Sequence, residues 1–318
     1  PAGAEAGLFC DATQASLRQF QQDRGLHLTG ICDEDTWRAI VEASWKLGDR
    51  LLVLLAPNLR GDDVGELQSS LARIGFDSGR VDGIFGPATE RALEDFQNNC
   101  GLYVDGVCGA ATVRALQVLA RQTGSGPGIT AVRELHALTA SARSLAELRI
   151  VIGQFGGLST ISRQLVRSLR QRSAAVIASD EPDSAAQAAA ANRFAANVYV
   201  GFETSGSSVA TIHYYAVPQF ESAGGRALAV AISDSCRSAS IGTQPVVQGM
   251  RLPVLRETRM PAVLLSVGPV QQALDEATEL VKSIVDALEV WAVDQRYPQV
   301  DIVSPVSRLF IHRFLPIL

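Results

Sequence analysis

Apolar positions follow two different rhythms along this 318-residue chain. In the first third, Val64, Leu67, Leu71 and Ile74 recur at three- and four-residue spacing, which places them on one helical face. Asp82 and Gly83 then turn the chain, since Gly accepts positive φ. Pro87 suits the first position of a second helix that directs Ala88, Ala92, Leu93 and Phe96 inward. A further turn at Asp105 and Gly106 leads to a third helix lined by Ala111, Ala115, Leu116 and Leu119, so three short helices around one small core are expected. Beyond residue 145 the rhythm alternates. Strand-like Ile150–Ile152, Ala175–Ala178, Asn197–Phe202, Thr211–Tyr215 and Ala262–Leu265 are interleaved with helical stretches at Ile161–Leu169, Ser184–Ala195 and Arg226–Cys236. A last helix carries Leu274, Ala277, Val281, Ile284, Leu288 and Trp291 on one stripe. The expected fold is multidomain: small all-α three-helix modules, then an α/β domain with a mostly parallel central sheet and ligands at the strand C-terminal ends.

The helical part contains a repeat. Phe20–Ile40 recurs as Phe96–Leu116 at a constant offset of 76 residues, which matches Phe20 to Phe96, Gln21 to Gln97 and Gly30 to Gly106. A nested half-repeat sets Asp82–Thr89 23 residues before Asp105–Thr112. In the first copy Thr29 replaces the turn Asp, and Pro1–Cys10 shows no apolar period, so its opening helix is missing or degenerate. The order F-Q-x-x-x-G-L-x-x-D-G-x-x-G-x-x-T-x-x-A-L resembles the type 1 peptidoglycan-binding module found beside bacterial cell-wall hydrolases. That resemblance implies glycan or stem-peptide binding without naming the side chains that touch ligand; Phe20, Gln21, Gly30, Asp82, Gly83, Phe96, Gln97, Asp105 and Gly106 are its motif residues, and each also reads as an ordinary core or turn residue. The resulting organisation is a first module at 1–48, a second at 59–121, a Gly/Ser/Pro-containing linker at 122–144, the α/β domain at 145–296 and an apolar tail at 297–318.

Four stretches of the α/β domain resemble the type 3 zinc-dependent N-acetylmuramoyl-L-alanine amidases. They are Val151–Gly157, Ala190–Glu203, Val254–Val263 and Leu264–Gly268, and the third, with its Leu-Arg-Glu-x-x-x-Met-Pro-Ala-Val order, keeps the family pattern best. Such an enzyme holds Zn²⁺ with two His and one Glu, leaves a position for water, and uses a second Glu as base. The resemblance places the first ligand His on Phe155, the second on Glu203 and the general base on Ser266, while residues 148–179 contain no Asp or Glu to supply the remaining ligand. No His lies between His136 and His213, and a lone His213 within a strand-like run reads as a sheet residue rather than a ligand. A Ser-His-Asp triad would need Ser266, His213 and an acid to meet by chance, without a G-x-S-x-G elbow. Glu257 belongs to the best-kept stretch and reads as structural. The expectation is a pseudo-amidase with no cofactor and no metal, whose vestigial cleft is bounded by Gln154, Phe155, Glu203 and Ser266.

Tandem modules ahead of an amidase domain with substituted ligands resemble an actinobacterial family of cytoplasmic regulators. That resemblance implies binding and stimulation of the UDP-N-acetylglucosamine enolpyruvyl transferase, with peptidoglycan or its precursors as further ligands. A phosphorylated Thr in the family's tail has no counterpart here, since the last Thr is Thr278 and the tail offers Ser304 and Ser307. Leu309, Phe310 and Phe314 give the tail an apolar side that either packs on the domain or docks on a partner. The competing readings are an active amidase with an unrecognised site and an extracytoplasmic wall-anchoring protein.

Composition narrows these choices. With 28 Lys plus Arg against 33 Asp plus Glu, the net charge is −5 and no basic run marks a nucleic-acid partner. Leu51–Pro57, the longest apolar run, is far too short to span a bilayer. Five cysteines without C-x-x-C spacing fit a reducing compartment better than a disulfide framework.

Overall fold

The computed structural model describes residues 8–120, 144–217, 220–239 and 244–293. The tail, with Leu309, Phe310 and Phe314, and nearly all of the expected linker lie outside the described residues.

Two helices form the described part of the first module, α1 (Asp11–Asp23) and α2 (Glu34–Ala43); the second module has three, α3 (Asp62–Arg73), α4 (Pro87–Asn99) and α5 (Ala110–Ala120). What fixes the modules is a polar link repeated three times. A buried Gln in the second half of one helix spans the following turn and reaches a Thr at the start of the next. Gln97 Nε2 donates to Asp105 Oδ1 at 2.8 Å, to the Val107 carbonyl and to Thr112 Oγ1, while its Oε1 accepts from the backbone N–H groups of Asp105 and Gly106. Gln68 does the same with Asp82, Gly83, Ile84 and Thr89. Gln21 does so with Thr29, Gly30, Ile31 and Thr36, the Thr29 hydroxyl standing in for the missing carboxylate. Gly30, Gly83 and Gly106 all have φ between 66 and 70°, which explains glycine at that place in each turn.

The modules differ in what covers them. In the second, Phe85, Phe96, Cys108 and Val113 lie buried beneath α3 with Val64, Leu67 and Leu71. The residues 76 positions earlier, Phe9, Phe20, Cys32 and Trp37, are not buried, and Phe9 and Trp37 are 62% and 60% exposed. No helix equivalent to α3 covers them among the described residues.

The α/β domain comprises β1 (Arg149–Phe155), α6 (Ser159–Gln171), β2 (Ala175–Ser179), α7 (Ser184–Arg193), β3 (Val198–Thr204), β4 (Thr211–Val217), β5 (Phe220–Glu221), α8 (Ala223–Ser238), β6 (Val246–Met250), α9 (Pro253–Glu257), β7 (Ala262–Val267), α10 (Val270–Asp275) and α11 (Ala277–Val293). Strand order is β2-β1-β3-β7-β4-β5, with β6 beside β4; the pairings are parallel except β4 against β7 and β5. Strand β6, helix α9 and the short β5 carry too little periodicity to be read from sequence. One sheet face packs on α6, α8 and α11 around Ile152, Val200, Phe202, Leu265 and Ile284. The opposite face packs on α7 and α9 around Tyr199, Tyr215 and Leu264, and Val81 of the second module enters this core.

The modules are fastened to that second face by buried charge. Glu42 of α2 accepts from Arg251 Nη2 at 2.8 Å and from Arg256 Nη1 at 2.9 Å, and all three side chains are buried. Arg256 also donates to the carbonyls of Asp82 and Gly83, Tyr215 donates to the Val81 carbonyl, and Arg60 pairs with Glu257 at 2.7 Å. Glu257, in the stretch that keeps the amidase pattern best, thus holds the second module.

Candidate functional site

Strand register sets side by side three of the positions that the amidase resemblance marks. Phe155 on β1 pairs with Glu203 on β3, and Glu203 pairs with Ser266 on β7, all near the C-terminal ends of parallel strands. Side chains aligned in a parallel sheet share a face, here the one that carries Tyr199 and Leu264 and meets the modules. Gln154, one residue from Phe155, points to the other face by strand alternation, so it does not bound the same cleft. Its Oε1 is buried without a partner, and its carbonyl accepts from Gln187 Nε2.

The fourth member of the row is His213, which sequence reasoning set aside. Strand β4 runs antiparallel to β7 with His213 opposite Leu264, and this carries the imidazole to Ser266. The Ser266 hydroxyl donates to Glu203 Oε1, and His213 Nε2 lies 2.9 Å from Ser266 Oγ. The Ser hydroxyl has one proton, so with that proton directed at Glu203 the imidazole donates from Nε2 and Nδ1 is unprotonated. Nδ1 is buried without a partner. Burial, helped by nearby His27, pulls the His213 pKa down to about 4. An acid, a serine and a histidine therefore do meet, but in an order that holds the serine. A hydrolytic triad has its base accepting from the serine and its acid orienting the base; here the acid accepts the serine's hydrogen bond and the histidine donates to the serine.

The first module closes the row from above. Gly25, at φ 62°, accepts from the Arg251 backbone N–H at 2.7 Å, and a Cβ there would stand 2.9 Å from that nitrogen. Leu26 is buried, and His27 Nε2 comes to 3.7 Å from Glu203 Oε2 with its ring edge-on to His213. Neither His27 nor this loop carried a sequence signal, because the contact depends on how the module docks.

The residues present do not fit the zinc site of the amidases. Phe155 has no lone pair, and Ser266 is engaged on both sides. Among the described residues no three His, Cys, Asp or Glu side chains are arranged to hold a metal ion. Most of the peptidoglycan-module motif residues serve the fold: Gln21, Phe96 and Gln97 are buried, and Gly30, Gly83, Gly106, Asp82 and the exposed Asp105 serve the Gln links, while Phe20 is half-buried. Sequence reasoning missed Gln68, whose signal is an apolar-Gln pair like Phe20-Gln21 and Phe96-Gln97, but built on Leu67.

The PG_binding_1 family, a peptidoglycan binding domain, matches residues 2–40 and 60–116. Among solved structures, the N-acetylmuramyl-L-alanine amidase Ami1 from Mycobacterium smegmatis is 16% identical, covering 47% of this chain and 98% of that one at a TM-score of 0.39. The catalytic domain of the amidase CwlV from Bacillus (Paenibacillus) polymyxa var. colistinus is 21% identical, covering 46% of this chain and 100% of that one at a TM-score of 0.36. The N-acetylmuramoyl-L-alanine amidase CwlM of Mycobacterium tuberculosis (strain ATCC 25618 / H37Rv) is 33% identical over 312 residues, which cover 88% of this chain and 77% of the relative. With tandem peptidoglycan-binding modules ahead of an amidase-like α/β domain, this chain belongs to the CwlM family.

Proposed function

We propose that the chain is a non-catalytic pseudo-amidase that regulates peptidoglycan precursor synthesis by binding and stimulating the UDP-N-acetylglucosamine enolpyruvyl transferase. The observation that supports loss of hydrolysis is the row Phe155, Glu203 and Ser266, tied to His213 and covered by the Gly25–His27 loop. Amide hydrolysis on zinc needs a metal with an open position and a free carboxylate base. Here the one carboxylate in the row accepts a hydrogen bond from Ser266 and stands beneath His27, so it is not a free base. The enolpyruvyl transferase follows from the family resemblance. Peptidoglycan or its precursors are the ligands that the modules suggest, and the cytoplasm is where precursor synthesis begins.

One specific feature favours a second reading. His27 and His213 approach Glu203 at 3.7 and 3.9 Å, so an amidase with an unrecognised site would draw on these donors, which as they stand are not arranged to hold a metal ion. Zinc analysis of the purified protein, assay of stem-peptide release from muropeptides, and a pull-down from native cytoplasm separate the two. We expect sub-stoichiometric zinc, no released peptide, and co-purification of an enolpyruvyl transferase whose rate rises on addition of the chain. Stoichiometric zinc with peptide release overturns the pseudo-amidase reading. A transferase that neither co-purifies nor responds overturns the assigned partner.

A further inference from the structure

A cavity of about 280 Å³ opens where the end of α1, the start of α3 with its following turn, and the β4 and β6 region meet. At ~30 Å³ per water in the liquid it has room for about nine waters, the scale of an amino acid or a dipeptide. Its walls carry both signs of charge. Arg24 and Arg251 both reach Asp62, which leaves that carboxylate committed to the protein. Asp23 and Asp82 each take their protein hydrogen bonds through Oδ1, from Gln19 and from Gln68 and Ile84. Burial pushes the Asp82 carboxyl above the usual carboxylate range, a cost that a cation bound beside it relieves.

A glycine in the wall supplies an independent observation. Gly65 lies inside α3, where glycine costs about 1 kcal/mol relative to alanine. Its backbone has ordinary helical φ, and an added Cβ would meet only Gly83, at 3.8 Å, an ordinary contact. Neither sterics nor backbone conformation calls for glycine there. Its effect is to leave the helix backbone bare toward the cavity, as glycine does where a ligand approaches a main chain closely.

We propose that this cavity binds a small zwitterion of amino-acid or dipeptide size, with its ammonium between Asp23 and Asp82 and its carboxylate toward Arg24. The inference is independent of the pseudo-amidase reading. Bridging α1, the second module and the sheet, such a ligand reports on all three at once.

Calorimetric titration of the full chain with alanyl-alanine, with its N-acetylated form and with its C-terminal amide tests the assignment. Alanyl-alanine is expected to give saturable binding, and each blocked form to bind about tenfold more weakly or less. Asp23→Asn, a change at an exposed residue, should weaken alanyl-alanine by a similar factor while leaving the unfolding midpoint unchanged. Gly65→Ala should also weaken binding several-fold while the midpoint holds or rises, since alanine favours the helix. No saturable heat up to about 10 mM dipeptide, or unchanged affinity in Gly65→Ala, overturns the site; equal binding of the blocked forms overturns the zwitterionic class.

Discussion

Replacing Glu42 with Gln removes one charge from a buried centre of three. Glu42 is 4% exposed, and its two arginine partners, Arg251 and Arg256, are 8% and 6% exposed. Glutamine keeps the volume and an acceptor oxygen, so the loss is electrostatic, and two guanidinium ions are left without their shared anion. Compensation is partial, because Asp62 reaches Arg251 at 3.4 Å and the carbonyls of Asp82 and Gly83 hold Arg256. Removing one partner from a buried pair costs ~3–5 kcal/mol, and the remaining contacts put Glu42→Gln near the lower end, about 3 kcal/mol. At ~2–4 °C per kcal/mol for a domain of this size, the midpoint should fall by roughly 6–12 °C. The loss falls on the junction, since the centre ties α2 to the segment around α9. Urea unfolding followed by circular dichroism and tryptophan fluorescence reads this well, because Trp37 and Trp45 belong to the first module and Trp291 to the α/β domain. The wild-type probes should move together and those of Glu42→Gln should separate. Adding Arg256→Met should recover at least half of the lost stability, as it removes one stranded charge. A cost below about 1 kcal/mol with the probes still coincident would refute the claim that this cluster joins the modules to the domain.

Two further outcomes follow from the links and the row. Gln68→Leu strands the Asp82 and Gly83 backbone N–H groups, and at ~0.5–1.5 kcal/mol per bond it should cost about 3 kcal/mol, read as a lower urea midpoint. His213 has a folded pKa of about 4 against an ordinary 6.5, so the unfolded chain binds more protons between those values. Stability is therefore full above pH 6.5 and declines as pH falls toward 4, by up to about 3 kcal/mol at ~1.4 kcal/mol per unit; His213→Asn should flatten this part of the urea-midpoint profile, and an unchanged slope would count against the burial of that ring.

The helical modules and the alternating domain were legible because their signals are local. A three- to four-residue period marks α3, α4 and α5, and the Asp-Gly turns need only their neighbours. The strands were legible for the same reason, as continuous apolar runs in a buried, mostly parallel sheet. Phe155, Glu203 and Ser266 were placed by resemblance, and register then set them in one row. What escaped depends on tertiary placement. The contact of His213 with Ser266 exists only because β4 pairs antiparallel with β7, and nothing near Thr211–Val217 announces that orientation. Arg256 and Glu257 read as part of an amidase pattern, yet their partners Glu42 and Arg60 lie some two hundred residues away. Gln154 adjoins Phe155 in sequence, yet alternation along β1 turns the two side chains to opposite faces of the sheet.

The Gln link has a consequence for how these modules are put together. Helix α4 offers Thr89 at its start to Gln68 behind it and Gln97 near its end to Thr112 ahead of it, so one helix is receiver and donor at once. A unit with a socket at one end and a plug at the other concatenates: each helix added brings its own turn and its own hydrogen bonds, and needs no redesign of those already present. The number of helices in such a string is then free to vary, like beads on a thread, while the geometry between neighbouring beads stays constant.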